Sequence, residues 1–328
     1  MLLDLFMIIG GLACLLFGGD FLVRGASALA EVLGVSPLFI GLTVVAFGTS
    51  APELSVNLLA AAQGNTEISF GNVVGSNIAN VGLILGCCAI MRPLSVEGII
   101  IAREIPMMLL ATLATVILAG DSLLRGEPGQ LDLADGLILL LLFCVFLYYS
   151  TGDVLRKRAS DPLMEELGEF VKPIGAHTKI WNFCLLLLGL GLLVIGGKLA
   201  VDGAVAVAES LGIPRVVIGL TIIAIGTSLP ELVASGMATW RGKTEIAIGN
   251  VIGSNIFNLL LVFGVCSTVT PLSVPAVAGI QDLAVMLLLS ALLFPLSLSF
   301  RQNLVRAEGV VLLGIFISYL SWRVLSAL

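Results

Sequence analysis

Charged residues are scarce in this sequence of 328 residues: 16 Lys or Arg and 22 Asp or Glu together make up 12% of the chain. Because soluble domains carry about 25% charged residues, this composition excludes a cytosolic domain. Disorder is excluded as well, since 58% of the residues are hydrophobic and so apolar a chain buries its side chains or aggregates. The 37 glycines have no three-residue period, which excludes collagen.

Motifs for catalysis, metal binding and nucleic-acid binding are also missing. The one histidine, His177, lies in a charged stretch, and the six cysteines lie in apolar runs without a Cys-x-x-Cys or Cys/His cluster. The sequence has no phosphate loop, dinucleotide fingerprint, zinc motif or basic nucleic-acid patch, and no Ser/His pair for nucleophilic catalysis. We therefore expect a protein that is not an enzyme, has no cofactor and needs neither nucleic acid nor an obligatory protein partner.

Long apolar segments fill most of the chain, because ten of the 38 charged residues lie between Gly152 and Lys179. A membrane span needs about 20 apolar residues, and on this basis we predict an all-α integral membrane protein of ten transmembrane helices, with the lipid bilayer as its partner. The spans are expected to begin near Leu2, Ser36, Glu67, Ile99, Leu131, Lys179, Pro214, Glu245, Ala276 and Leu304.

The sequence contains an internal repeat with an offset of 178 residues. GLTVVAFGTSAPEL (41–54) aligns with GLTIIAIGTSLPEL (219–232), and FGNVVGSNIAN (70–80) aligns with IGNVIGSNIFN (248–258). Each half holds five predicted spans, so the second half must enter the membrane upside down, as in many secondary transporters. The expected organisation is a first repeat (1–151), a cytoplasmic linker (152–178) and a second, inverted repeat (179–328).

Lys and Arg are distributed unevenly over the predicted loops. If the N-terminus lies outside, eleven of them fall on the cytoplasmic side and three on the outer side. Because cytoplasmic loops are enriched in Lys and Arg, we expect a multi-pass protein of the cell (inner) membrane with both termini outside.

Two glutamates, Glu53 and Glu231, lie inside predicted spans at equivalent positions of the repeats. An acidic residue at mid-membrane costs roughly 2.5 to 3.5 kcal/mol, so a favourable interaction has to offset it. A structural hydrogen bond to a neighbouring helix is one interpretation, but the duplication of both glutamates with their surroundings favours an ion site. Pro52 and Pro230 precede them and are expected to kink or break each helix, which frees backbone carbonyl groups.

Other oxygen donors surround both glutamates in the sequence. Thr49 and Ser50 precede Glu53 by four and three residues, which predicts that their hydroxyl groups lie near its carboxylate. Equivalent or neighbouring donors are Thr227, Ser228, Ser76, Asn80, Ser254 and Asn258. A set of oxygen donors without imidazole or thiolate suits hard cations such as Ca2+ and Na+ better than zinc or copper.

The paired GTS-x-PE and GN-x-x-GSN-I-x-N elements resemble the repeats of the cation/calcium exchanger superfamily, in particular prokaryotic calcium/sodium antiporters, and the resemblance covers essentially the whole chain. It implies calcium/sodium exchange by alternating access, with calcium export. The implied ion site comprises Glu53, Asn80, Glu231 and Asn258, flanked by Thr49, Ser50, Ser76, Thr227, Ser228 and Ser254, with the backbone carbonyls of Ala46 and Ala224 at outlying sodium positions. Several exchangers have an acid where this chain has Asn258, so a role for H+ or K+ is left open.

Alternative functions are a calcium/proton exchanger, in which the two glutamates bind Ca2+ and protons in turn, and a passive cation channel. Charged pairs in the first and sixth spans also have two interpretations. Asp20 and Arg24, and their repeat mates Lys198 and Asp202, are four residues apart. They either form intrahelical ion pairs or help these two spans to slide past the others.

Overall fold

The structure, a computed structural model, describes residues 2–124, 126–159, 176–213, 218, 222, 224–298 and 303–327. Within this part of the chain, nine helical segments are long and apolar enough to cross a membrane. They are Leu2–Leu33, Pro37–Ala62, Thr66–Met91, Ile100–Leu118, Leu133–Gly152, Lys179–Ser210, Thr244–Val269, Ala278–Leu298 and Arg306–Ser326. Each begins within two residues of a predicted span. The other predicted span starts at Pro214, outside the described residues, and ends in a described helix.

The spans consist of α-helices with π-helical interruptions. The α-helices are α1 (Leu2–Leu33), α2 (Pro37–Ile40), α3 (Ala46–Ala62), α4 (Thr66–Ala79), α5 (Gly86–Met91), α6 (Ile105–Leu118), α7 (Asp121–Leu124), α8 (Leu133–Ala159), α9 (Ala176–Ser210), α10 (Ala224–Thr227), α11 (Leu229–Trp240), α12 (Thr244–Ile256), α13 (Phe263–Val269), α14 (Ala278–Leu298) and α15 (Arg306–Ala327). The π-helical segments are Gly41–Val45, Asn80–Leu85, Ile100–Glu104 and Phe257–Val262.

Equivalent glycines end the first helix of each repeat. Gly34 follows α1 with φ +63°, and Gly212 follows α9 with φ +76°. A residue with a β-carbon is strained in this left-handed region, so glycine is the favoured residue just after a helix. After Gly34, the hydroxyl group of Ser36 accepts a hydrogen bond from the backbone N–H of Phe39 and caps α2.

Helices α1 and α9 occupy equivalent positions in the two repeats and pack in opposite directions. A β-carbon at Gly11 would lie 2.6 Å from the Ala200 nitrogen, so glycine allows the two backbones to approach. Close approaches recur along the two helices at Gly11 with Ala200, Gly18 with Leu193, and Gly25 with Leu186. The residue number rises in α1 as it falls in α9, so the helices are antiparallel. The two repeats therefore have inverted topology.

Two short antiparallel sheets join the repeats. Strand β1 (Leu94–Ser95) pairs with β4 (Asn303–Leu304), and strand β2 (Gln130–Leu131) pairs with β3 (Leu272–Ser273). Strands β1 and β3 belong to the equivalent PLSV segments of the two repeats. The sheets thus lie at the ends of the spans and repeat the symmetry of the helices.

The main apolar core lies between the repeats. Phe70 in α4 stacks on Phe263 in α13 with ring centroids 5.4 Å apart. Phe143 in α8 contacts Phe257 at 5.0 Å in an edge-on arrangement. These contacts hold α4, α8 and the π-helical segment Phe257–Val262 together, close to the polar residues of the candidate site.

Candidate ion-binding site

Glu53 lies in α3 and Glu231 lies in α11, and the two proline-containing segments have different shapes. In the second repeat the chain breaks at Ser228, between α10 and α11, so the expected break near Pro230 is present. In the first repeat α3 continues through Pro52, and the departure from α geometry lies upstream in the π-helical segment Gly41–Val45. Proline removes one hydrogen bond in both segments, but only the second opens at that point.

Asn80 and Asn258 occupy equivalent helix interruptions. Each is at the start of a π-helical segment, Asn80 at the first residue and Asn258 at the second. π-Helical turns in α-helices are frequent at functional sites because they widen the helix and change the direction of side chains. Both asparagines are 1% exposed.

Several buried polar atoms in this region have no hydrogen-bond partner among the described residues. Glu53 and Glu231, each 1% exposed, both leave Oε2 unpaired. The other unpaired atoms are Asn80 Oδ1, both amide atoms of Asn258, Ser76 Oγ and Ser228 Oγ. Unpaired buried oxygens are costly, and a cation bound between them would offset that cost.

The hydroxyl groups of Thr49 and Ser50 point to the opposite repeat. The Ser50 hydroxyl donates to Glu231 Oε1 at 3.3 Å, and the Thr49 hydroxyl donates to Asn250 Oδ1 at 3.1 Å. We expected both near Glu53, because residues three and four apart share a helical face. Both hydroxyl groups instead form hydrogen bonds across the interface between the repeats, to residues of α12 and α11.

The remaining predicted donors are distributed around Thr49 and the break in the second repeat. Thr49 Oγ1 lies 3.5 Å from Ser254 Oγ and 3.3 Å from the Ala46 carbonyl oxygen. Thr227 ends α10, and Ala224 is the first residue of that helix. Ser76, Ser228 and Asn258 are buried, and their side-chain polar atoms have no hydrogen-bond partner among the described residues.

Sequence reasoning missed four asparagines that bond to the predicted donors or to the chain beside them. Asn250 accepts from Thr49, and Asn72 accepts from Thr227 at 3.3 Å. Asn255 accepts from the Nδ2 of Asn80 at 3.0 Å, and Asn57 donates to the carbonyl group of Glu53 at 2.7 Å. Asn72, Asn250 and Asn255 lie inside the duplicated GN-x-x-GSN elements, so the repeat was a signal that could have identified them.

A cavity of about 540 Å³ reaches the second-repeat break from one side of the molecule. It lies between α3, α9 and α11, and its lining includes Pro52, Thr227, Lys198 and Asp202. A β-carbon at Gly197 would be accommodated here, since its nearest described neighbour, Pro230, would lie at 3.6 Å, an ordinary van der Waals distance.

The equivalent region on the opposite side has a smaller cavity, of about 350 Å³, and closer packing around Gly19. A β-carbon at Gly19, the repeat mate of Gly197, would lie 3.0 Å from Val233 in α11. Asp20 forms the intrahelical ion pair with Arg24 at 3.0 Å, and it also forms an ion pair with Arg241 at the end of α11. The larger cavity therefore lies on one side of the candidate site, and closer packing with ion pairs lies on the other.

The sequence profile described as "sodium/calcium exchanger protein" matches residues 3–152 and 181–325. The chain belongs to the sodium/calcium exchanger protein family. The two matched regions hold one repeat each, so the family assignment covers both carboxylates and both sets of oxygen donors. As a member of this family, the chain is a multi-pass membrane antiporter of the sodium/calcium exchanger type rather than an enzyme.

Individual relatives agree with the family assignment. The putative antiporter CaxA of Alkalimonas amylolytica is 40% identical over 97% of this chain and 98% of its own length. The sodium/calcium exchanger MaX1 of Methanosarcina acetivorans is 34% identical over 94% of this chain and 95% of its own. The solved structure of the sodium-calcium exchanger NCX_Mj, soaked with Na+ and Sr2+, is 31% identical, has a TM-score of 0.83 and covers 98% of each chain. The predicted ten-helix, inverted-repeat fold is thereby confirmed.

Proposed function

We propose that this exchanger exports one Ca2+ in return for entering Na+, with both ions bound alternately at Glu53 and Glu231. The observation that carries the proposal is that two buried carboxylates, one from each inverted repeat, each have an oxygen without a described hydrogen-bond partner. Around them are neutral hydroxyl and amide oxygens, which are ligands that Ca2+ and Na+ accept. The described residues hold no group of three or more His, Cys, Asp or Glu side chains placed to bind a metal, so the charge available is that of two carboxylates.

The energetics of export constrain the number of sodium ions. For a calcium gradient of roughly ten-thousand-fold and an interior at about −100 mV, exporting one Ca2+ costs about 10 kcal/mol. Each Na+ entering down a roughly tenfold gradient returns about 3.7 kcal/mol. Two Na+ return too little and three return enough. Two carboxylates neutralise one Ca2+, whereas three bound Na+ leave the site with one positive charge.

The proposed orientation has both termini outside a cell (inner) membrane and the linker 152–178 between the repeats in the cytoplasm. A relative from Escherichia coli is named "Inner membrane protein YrbG" and is 36% identical over 98% of this chain and 97% of its own length. Its name supports the proposed location in the inner membrane. In this orientation Ser95 of β1 is cytoplasmic and Gln130 of β2 is external, and both side chains are exposed. Cysteines introduced there, in a chain whose native cysteines are replaced, test it. In intact cells an impermeant thiol reagent should label position 130 only, and the opposite pattern would reverse the orientation.

The decisive experiment is calcium uptake into liposomes that contain only this protein. Liposomes loaded with Na+ and diluted into Na+-free buffer should accumulate labelled Ca2+, because outward sodium movement then drives calcium inward. Replacing internal Na+ with choline should abolish uptake at equal pH, and adding K+ to either side should leave it unchanged. Uptake driven by a pH gradient without Na+ would favour the calcium/proton exchanger, and calcium efflux without any counter-ion would favour a channel.

A further inference from the structure

A chain of amide groups leads from Thr227 back into the first repeat. The Thr227 hydroxyl donates to Asn72 Oδ1 at 3.3 Å, and Asn72 Nδ2 donates to Asn57 Oδ1 at 3.3 Å. Asn57 Nδ2 in turn donates to the backbone carbonyl of Glu53 at 2.7 Å. Because a backbone carbonyl group can only accept, the Asn57 group that faces it must be the NH2 group. The Oδ1 atom of Asn57 therefore faces Asn72, and the Oδ1 atom of Asn72 faces Thr227.

An equivalent chain of bonds leads from Thr49 into the second repeat. The Thr49 hydroxyl donates to Asn250 Oδ1 at 3.1 Å, and Asn250 Nδ2 donates to Ser235 Oγ at 2.9 Å. Asn250 and Ser235 are both completely buried. Asn72 and Asn250 are repeat mates, as are Asn57 and Ser235, so the arrangement occurs twice in the structure.

The direction of a hydroxyl proton determines whether threonine can be a cation ligand. A hydroxyl group has one proton and two lone pairs. A proton that points to the ion repels it, whereas a proton held by an acceptor elsewhere leaves the lone pairs available. An amide oxygen on the far side of the threonine is such an acceptor.

We propose that Asn72 and Asn250 are positioning residues, which hold the hydroxyl protons of Thr227 and Thr49 away from the transported cation. This inference rests on the proposed function, because it takes the two threonines as ion ligands. Neither asparagine has to contact the ion. Each acts through the threonine of the opposite repeat and thereby couples the two halves of the site.

The two chains of bonds differ at their far ends. Asn57 ends the first chain on a backbone carbonyl, which fixes its polarity, whereas Ser235 ends the second on a hydroxyl group that can donate as well as accept. The backbone carbonyl therefore fixes the orientation of the Asn57 and Asn72 amides, whereas the orientation of the Asn250 amide depends also on where the Ser235 hydroxyl proton points. Asn57→Ser gives the first chain the same terminus as the second and should weaken its control of Thr227.

A double-mutant cycle in reconstituted liposomes tests the proposal. Asn72→Leu removes the acceptor at similar volume, and it should raise the KM for Ca2+ about fivefold, the effect of losing one typical hydrogen bond, with kcat within about twofold. In a Thr227→Val chain there is no proton to direct, so Asn72→Leu should change KM less than about twofold. The matched control is Thr49→Val, in which Asn72→Leu should retain its fivefold effect.

The reciprocal cycle uses Asn250→Leu, whose effect should disappear with Thr49→Val and persist with Thr227→Val. An equal rise in KM in both threonine backgrounds, or a loss of kcat at unchanged KM, would overturn the positioning role. Should Asn72→Leu not be monodisperse in detergent, Asn57→Ser is tested in the same cycle with the same expected pattern. Unchanged ion affinities in Thr227→Val would also overturn the positioning role, because it requires Thr227 to be an ion ligand, whereas absence of sodium-driven uptake in the wild type would contradict the proposed function.

Discussion

The ion pairs of Asp20 predict how the exchanger can be shifted between its two access states. Asp20 on α1 pairs with Arg24 and with Arg241 at the end of α11, on the side of the molecule where α1 and α11 pack more closely. Its repeat mate Lys198 lines the open cavity on the other side. Asp20→Asn removes both ion pairs with little change of volume. We expect it to favour the state in which α1 has moved away from α11.

The expected size of this shift follows from the exposure of the charges. The side chains of Asp20, Arg24 and Arg241 are 17%, 57% and 35% exposed, so solvent screens both pairs. The Asp20–Arg24 pair lies within α1 and is kept in both states, so only the loss of the Asp20–Arg241 pair shifts their ratio. An exposed pair contributes about 0.2 to 1 kcal/mol, which changes the ratio of the two states by up to about fivefold.

The assay is thiol labelling at a position that is buried only in the closed arrangement. Ala234 in α11 is 1% exposed and packs in the apolar cluster that contains α1 residues. With Ala234→Cys in a chain without native cysteines, the labelling rate is proportional to the population of the other state. Asp20→Asn should raise this rate measurably, by up to about fivefold, at low salt and less at high salt, because salt screens the Asp20–Arg241 pair.

Charge exchange provides the control for this prediction. The double variant Asp20→Arg with Arg241→Asp keeps an ion pair between the same two helices, so its labelling rate should return towards the wild-type value. An unchanged rate in Asp20→Asn, or failure of the exchanged pair to restore it, would refute the role of these charges in holding α1 against α11.

Three other predictions concern the candidate site and the helix packing. Glu53→Gln and Glu231→Gln should each abolish calcium exchange in liposomes while the protein remains monodisperse, and near-normal transport in either would contradict the site. Asn258→Asp should change the sodium Hill coefficient and the pH profile of transport, because a third carboxylate binds monovalent ions or a proton; unchanged values would place Asn258 outside the site. Gly11→Ala should lower thermal stability in detergent by about 1 to 3 kcal/mol through overpacking against α9, whereas Gly10→Ala, with open space at its β-carbon, should not.

Hydropathy and the internal repeat were sufficient to predict the fold. Apolar runs end where charges, proline or glycine begin, so the span starts are correct within two residues for the nine described spans. The repeat alignment also gave the inverted topology, which the antiparallel packing of α1 and α9 bears out. These features depend on composition and spacing, and both are visible in a single sequence.

The contacts between the repeats could not be predicted in this way. Helical spacing identifies neighbours within a helix, so it placed the Ser50 hydroxyl near Glu53, whereas the structure has it on Glu231. The sequence around the two prolines is nearly the same, GTSAPE and GTSLPE, yet α3 continues through Pro52 while the second segment opens at Ser228. Nearly the same local sequence adopts two conformations here, so the difference arises from tertiary contacts, which local sequence patterns do not reveal.

The seam between α1 and α9 has a consequence for a half-length version of this protein. In the pairs Gly11 with Ala200, Gly18 with Leu193, and Gly25 with Leu186, the two residue numbers always add to 211. A residue on a twofold axis would pair with its own repeat mate, which lies 178 positions later. Pairs that add to 211 meet this condition midway between residues 16 and 17, so a twofold axis passes beside these residues of α1. The same patch of each half meets itself, as in an isologous dimer. Two identical half-chains inserted in opposite directions would therefore form the same contact between their first helices. Covalent fusion of the halves permits their sequences to differ, as they do at Asn57 and Ser235.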